Sequence, residues 1–215
     1  MNDILRNIWT GLTSASALDQ FNLALGVVGV WLMIRRRLAA FPVGLVAVTV
    51  QGILFFRSRI YADAILQVFF FVTLAWGWRH WVRDRGAAPE LPVTRLGWRG
   101  CAWVASLATT ATVVWALVLL RWTDAVIPWR DAFVAAFSVA AQILQARKNV
   151  ETWPAWVLVN AVAIPAYWSA ALAFTAFLYL IYLGLAFAGW REWWRAMRQE
   201  QASAMAGARS PASPG

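Results

Sequence analysis

The sequence predicts an all-α integral membrane protein: seven transmembrane helices in a 3+1+3 arrangement with parallel three-helix repeats. Three observations predict it. Hydrophobic residues fill 61% of the 215 positions and charged ones 13%, with a mean hydropathy of +0.58, too apolar for a water-soluble domain of this length. Seven apolar runs, at about 19–34, 41–56, 61–78, 100–121, 127–146, 153–168 and 171–190, lie close to the ~20 residues that a bilayer-spanning helix needs. The chain also matches itself at an offset of 112 residues (77 to 189).

At that offset "GWRHW" (77–81) falls on "GWREW" (189–193), Asp19 on Asp131, Phe21 on Phe133, Arg35 on Arg147 and Pro42 on Pro154. Fourteen identities fall across 19–81, and the scarce residue types carry most of the weight. Three helices are an odd number, so the second copy would be inverted unless one helix intervenes. The fourth run has no counterpart and is that helix, which makes the repeats parallel, as in SWEET-type transporters. The chain then divides into a possibly interfacial N-terminal segment (1–18), a first repeat (19–81), a loop and linker helix (82–126), a second repeat (127–193), and a basic then disordered tail (194–215).

Residues 1–18 carry no basic stretch followed by a small-residue cleavage site, so no cleaved signal is expected. Pro42 and Pro154 open the second helix of each repeat, where a missing N–H costs nothing. Asp19, Asp131 and Asp63 stand where helix N-caps stand. The tail "QASAMAGARSPASPG" is small and nearly uncharged, hence expected to be disordered. Cys101 stands alone, which excludes an intramolecular disulfide.

The net charge of +9 does not indicate nucleic acid, because its placement is one-sided. With the loops numbered alternately, five cations (Arg6, Arg57, Arg59, Arg121, Arg130) fall on one side and the other fourteen of the 19 on the opposite side. That bias puts the N-terminus outside and the C-terminus in the cytoplasm, with the cations beside anionic lipid headgroups.

Polar groups inside the runs are few: Gln51, Gln67, Ser138, Gln142, Asn160, Thr175, Tyr179, Tyr182 and threonines of the fourth run. Interhelical hydrogen bonding is the bland role for each, worth only ~0.6 kcal/mol on average. Their arrangement argues for more. Ser138 and Gln142 share one helical face, as do Trp153, Trp156 and Asn160, and Thr175, Tyr179 and Tyr182. Gln67 and Tyr179 are repeat equivalents that a pseudo-twofold axis would bring together. Asn160 lies about 10 Å deeper than Trp153, at 1.5 Å per residue, near the middle of a ~30 Å core, where an unpaired amide is costly. No Asp, Glu, Lys, Arg or His lies deep in a run, so ion coupling has no carrier. No nucleophile–base pair, metal set or nucleotide-binding loop is present, which argues against an enzyme and against any cofactor. What remains is passive recognition of a neutral or cationic, hydroxyl-rich aromatic solute: amides for hydroxyls, indoles for a flat ring. The candidate solute-binding residues are Trp153, Trp156, Asn160, Gln67, Gln142, Tyr179, Gln51, Tyr182 and Ser138. Arg147, Lys148, Glu151, Asp63 and Tyr61 are gating or structural candidates, the first three pairing with one another or gating the exit.

"FPVGLVAVTVQGILFFRSRIYADAILQVFFFVTLAWGWRHW" and "RKNVETWPAWVLVNAVAIP" resemble the two signature regions of the PnuC family of bacterial nicotinamide riboside transporters. The pattern R-K-x-V-E-x-W-x-x-W-x-x-x-N is met by Arg147, Lys148, Val150, Glu151, Trp153, Trp156 and Asn160. The resemblance spans about 19–193. It implies a homotrimer in the bacterial inner membrane, with facilitated diffusion of nicotinamide riboside through each protomer and trapping by a cytosolic riboside kinase. Pro165 and Tyr167–Trp168 depart from the family's plainer aliphatics. Relatives that move thiamine or riboflavin share the scaffold and remain an alternative. A non-transporting membrane scaffold is the alternative of a different class, in which Trp-rich faces would be lipid or partner belts.

Overall fold

The computed structural model describes residues 17–57, 59, 61–86, 90–124, 127–169 and 173–209. The described residues form seven α-helices: α1 (Ala17–Ile34), α2 (Ala40–Arg57), α3 (Tyr61–Arg83), α4 (Gly97–Trp122), α5 (Pro128–Ala146), α6 (Thr152–Ser169) and α7 (Ala173–Arg209). Each contains one of the apolar runs. Among the described residues, α2 and α4 are long and apolar enough to cross a membrane on length and composition alone, and Gln20–Ile34 of α1 is a shorter apolar stretch.

Consecutive helices pack in two groups, α1–α2–α3 and α5–α6–α7, with α4 lying against α5. Two further contacts join the groups, α3 with α5 and α1 with α7. They correspond under the offset of 112, because α3 stands to α5 as α7 stands to α1. The Trp81 indole N–H donates to the Ala146 carbonyl at 3.0 Å, and the Trp193 N–H to the Met33 carbonyl at 3.1 Å. The two indoles meet with ring centroids 5.8 Å apart. Phe41 stands edge-on to Trp81 at 5.0 Å, as its counterpart Trp153 does to Trp193 at 5.4 Å. Four rings therefore close one end of the bundle as a single apolar plug, in the offset geometry that aromatic quadrupoles favour.

The repeated glycines explain how the rings fit. A Cβ at Gly77 would lie 2.9 Å from the Ala146 Cβ and 3.1 Å from the Phe41 ring, and one at Gly189 only 2.5 Å from the Trp153 ring. Arg36 and Lys148, another pair at the offset, both adopt left-handed backbone, with φ of 55° and 58°. Such residues end helices. The turns after α1 and α5 are thus the same turn.

Two expectations need correction. α7 runs on to Arg209, so residues 201–209 are helical rather than disordered; Ala, Met, Gln and Arg are good helix formers and carry the helix beyond its apolar part. Asp131 does not cap α5. Ile127 occupies the cap without a side-chain bond, and the Asp131 carboxylate instead lies 2.7 Å from Arg130. The expected interfacial segment falls within 1–18, of which 1–16 lie outside the described residues, as does the side chain of Asp19.

Candidate functional site

The second repeat's signature puts an indole and an amide one turn apart on α6. Asn160 is 4% exposed and its amide donates to the Trp156 carbonyl, one turn back, at 2.7 Å. Its partner for this N–H is therefore its own helix, neither a neighbouring helix nor a solute. Among the described residues nothing bonds its Oδ1. The Trp156 N–H reaches across to Gln145 Oε1 on α5 at 3.0 Å, which fixes the indole plane. Ser138 and Gln142, one turn apart on α5, are 6% and 7% exposed and make no hydrogen bond to the described residues. Buried amides and hydroxyls need partners, and these have polar capacity to offer. Asn160 lies eight residues into α6 (152 to 160), about 12 Å at the helical rise and close to the helix middle.

A second polar group belongs to α1, α2 and α7. The Asn22 amide donates to Gln51 Oε1 at 2.5 Å, while Asn22 Oδ1 is buried without a partner. Gly26, one turn on, accommodates the Tyr182 hydroxyl, from which a Cβ would be only 2.4 Å away. Tyr182 meets Tyr179 edge-on at 6.4 Å, and Tyr179 meets Tyr167 at 5.0 Å.

Other candidates lie elsewhere. Trp153 is 2% exposed inside the aromatic plug, its N–H buried without a partner, and so stands apart from Trp156. Gln67 makes no bond to Tyr179; it lines a cleft of about 670 Å³ between α2 and α3 with Gly52, Ile53, Phe56, Ile65 and Val68. The pseudo-twofold contact of α3 with α7 is made by Trp81, near the end of α3, and Trp193, midway along α7. The Tyr61 side chain lies outside the described residues.

Nor do Arg147, Lys148 and Glu151 pair with one another. Arg147 is exposed. Lys148, 1% exposed, donates to the Leu91 carbonyl, sits 3.8 Å from Glu90 and lies over the Trp81 ring at 4.5 Å. Glu151 accepts from the Leu96 N–H at 3.1 Å and lies 3.9 Å from Arg95. These motif residues hold the α3–α4 connection. Burial pulls the Lys148 ammonium down from its ordinary 10.5 to about 8, against the pull of Glu90. Below about 8 both folded and unfolded states carry the charge and the fold bears its desolvation; between about 8 and 10.5 only the unfolded state does. Thermal stability in detergent should therefore rise with pH across that window, and Lys148→Met should flatten the rise.

Asn22 and Gln145 escaped the sequence reading, and Tyr167 figured there only as a departure from the family's pattern. Asn22 follows Asp19 so closely that it reads as helix entrance, whereas Gln145, three residues after Gln142, continues a face already marked.

A model of the nicotinamide mononucleotide transporter family matches residues 16–195. The riboflavin/roseoflavin transporter RibM of Streptomyces davaonensis is 30% identical over 200 residues, covering 88% of this chain and 90% of its own. The nicotinamide riboside transporter PnuC of Escherichia coli is 26% identical over 205 residues, covering 84% and 86%. The crystal structure of a vitamin B3 transporter PnuC superposes with a TM-score of 0.72 at 18% identity, over 91% of this chain and 90% of that one. The aromatic plug, the duplicated turns and the signature on α6 thus sit in a known setting: the chain belongs to the nicotinamide mononucleotide transporter family, the PnuC family of membrane transporters.

Proposed function

We propose that this transporter carries nicotinamide riboside by facilitated diffusion, with a cytosolic riboside kinase as the trap. One observation carries the reading: an indole and a buried amide one turn apart on α6, the indole bonded to Gln145 of α5, the helix that also carries the buried Ser138 and Gln142. An indole face attracts a pyridinium, and amides and hydroxyls match ribose and carboxamide. Trp156, Asn160, Gln142 and Ser138 form the inner part of the site; Gln51, Tyr179 and Tyr182 form the outer part. Trp153 belongs to the plug and Gln67 to the lateral cleft. A phosphate would need cations at membrane depth, and no Lys or Arg lies deep within an apolar run. A riboside fits better than a mononucleotide. The relative that transports riboflavin favours a second reading, in which the same face stacks on a larger flavin ring.

The architecture that goes with this function is two parallel three-helix repeats joined through α4. The one-sided cations support an N-terminus outside and a C-terminus in the cytoplasm of the bacterial inner membrane, and the proposal includes a homotrimer. Reporter fusions at residue 215 read the topology, and an enzyme reporter active only in the periplasm should stay silent there. In proteoliposomes, riboside uptake should stop at the external concentration and ignore imposed proton or sodium gradients. Accumulation driven by either ion would overturn the uniport reading.

A further inference from the structure

Residues 90–96, between α3 and α4, run across the plugged end of the bundle as a strap. Their contacts are unevenly shared. The Thr94 N–H donates to the Lys148 carbonyl at 3.0 Å, and the Val150 N–H to the Thr94 carbonyl at 3.0 Å. Asn149 donates to the Thr94 hydroxyl at 2.8 Å, and the Leu91 carbonyl accepts from Lys148. The Val93 N–H donates to Glu200 at 3.1 Å, the Leu96 N–H to Glu151, and Arg95 covers the Trp194 ring at 5.2 Å. All of these partners belong to the α5–α7 half. Towards the α1–α3 half the described strap makes one polar contact, Glu90 with Arg36 at 3.1 Å. Leu91 and Val93 meanwhile pack into the same apolar cluster as Met33, Phe41, Trp81 and Trp193.

We infer that the strap is a gate element carried by the second half of the molecule, and that the Arg36–Glu90 pair is the latch holding it to the first half. The inference rests on the transport reading only in requiring that a path between the halves opens at this end. The plug there is sealed by two indole bonds that also cross between the halves, so opening must part the halves and with them the Arg36–Glu90 tie. Arg36 and Glu90 side chains are 21% and 46% exposed, and ion pairs of that kind are weak. A weak tie suits a contact that must break in every cycle. The symmetry of the molecule supports the assignment, since Glu90 lies within 3.1 Å of Arg36 and 3.8 Å of Lys148, the two left-handed residues that are repeat counterparts.

The test needs no solute. In full-length protein with Cys101→Ser, Asn160→Cys reports access to the path, and a membrane-impermeant maleimide is applied to inside-out and to right-side-out vesicles. Arg36→Asn removes the tie between the halves and keeps a residue that tolerates left-handed backbone. It should raise labelling from one side roughly two- to five-fold, the population change that an exposed pair controls. Glu90→Gln should do the same. Glu200→Gln, which removes a strap contact within the second half, should leave labelling near the parent rate. Parent-rate labelling in both latch variants, or an equal rise with Glu200→Gln, would overturn the latch. Because no solute is involved, either result leaves the choice of vitamin untouched.

Discussion

Trp193→Ala should cost about 3–5 kcal/mol of stability, the range for removing a fully buried large aromatic. Trp193 is 0% exposed, edge-on to Trp153, in contact with Trp81, and its N–H closes the bond to Met33 between the halves. Truncation therefore opens a cavity and removes the indole bond between the halves, leaving the Met33 carbonyl only its bond from the Arg36 N–H. Thermal unfolding in detergent reads the loss. Trp81→Ala, its repeat counterpart, should lose a comparable amount. A large difference between the two would mean that the duplicated plug is not energetically duplicated.

Trp156→Leu and Asn160→Leu should each leave a folded protein that binds riboside about ten-fold more weakly. A desolvated cation–π contact is worth roughly 1–2 kcal/mol, and 1.4 kcal/mol is a factor of ten in affinity. Asn160→Leu loses a back-bond to its own helix, which can be spared because helical carbonyls are already paired; what it removes is the amide's remaining capacity. Trp153→Phe is the comparison. Phe is what the first repeat has at that place, in Phe41, and the substitution also removes an indole N–H that is buried without a partner. Affinity should stay within about two-fold of wild type, a difference below 0.5 kcal/mol. Isothermal titration of the three variants separates the two tryptophans, which the sequence reading had grouped together.

That grouping shows what periodicity can and cannot do. Trp153, Trp156 and Asn160 do follow a helical face, but in the first turn of α6 Thr152 bonds to the Ala141 carbonyl of α5 while Trp153 turns to Gly189 and Trp193 of α7. Facing depends on neighbours, and sequence spacing does not name them. The helices were legible because apolar length is set by the bilayer, and the repeat reading rests on Pro42/Pro154 and Arg35/Arg147, scarce residue types matched at one offset. The strap was not legible. Residues 90–96 contain no pattern of their own, and their order comes from backbone groups meeting Lys148, Asn149, Glu151 and Glu200 from far along the chain. The tail was misread because small residues mark disorder only where no helix is already running, and α7 arrives at residue 201 as an established helix.

The central claim is that the α6 face recognises a cationic riboside. Its most direct test is a competition titration of the purified protein with nicotinamide riboside, nicotinamide mononucleotide, riboflavin and thiamine. The riboside should bind tightest, the mononucleotide at least ten-fold more weakly for want of a cation to meet its phosphate, and Trp156→Leu should narrow the gap between riboside and riboflavin. Riboflavin binding tightest, with riboside affinity unchanged in Trp156→Leu and Asn160→Leu, would contradict it.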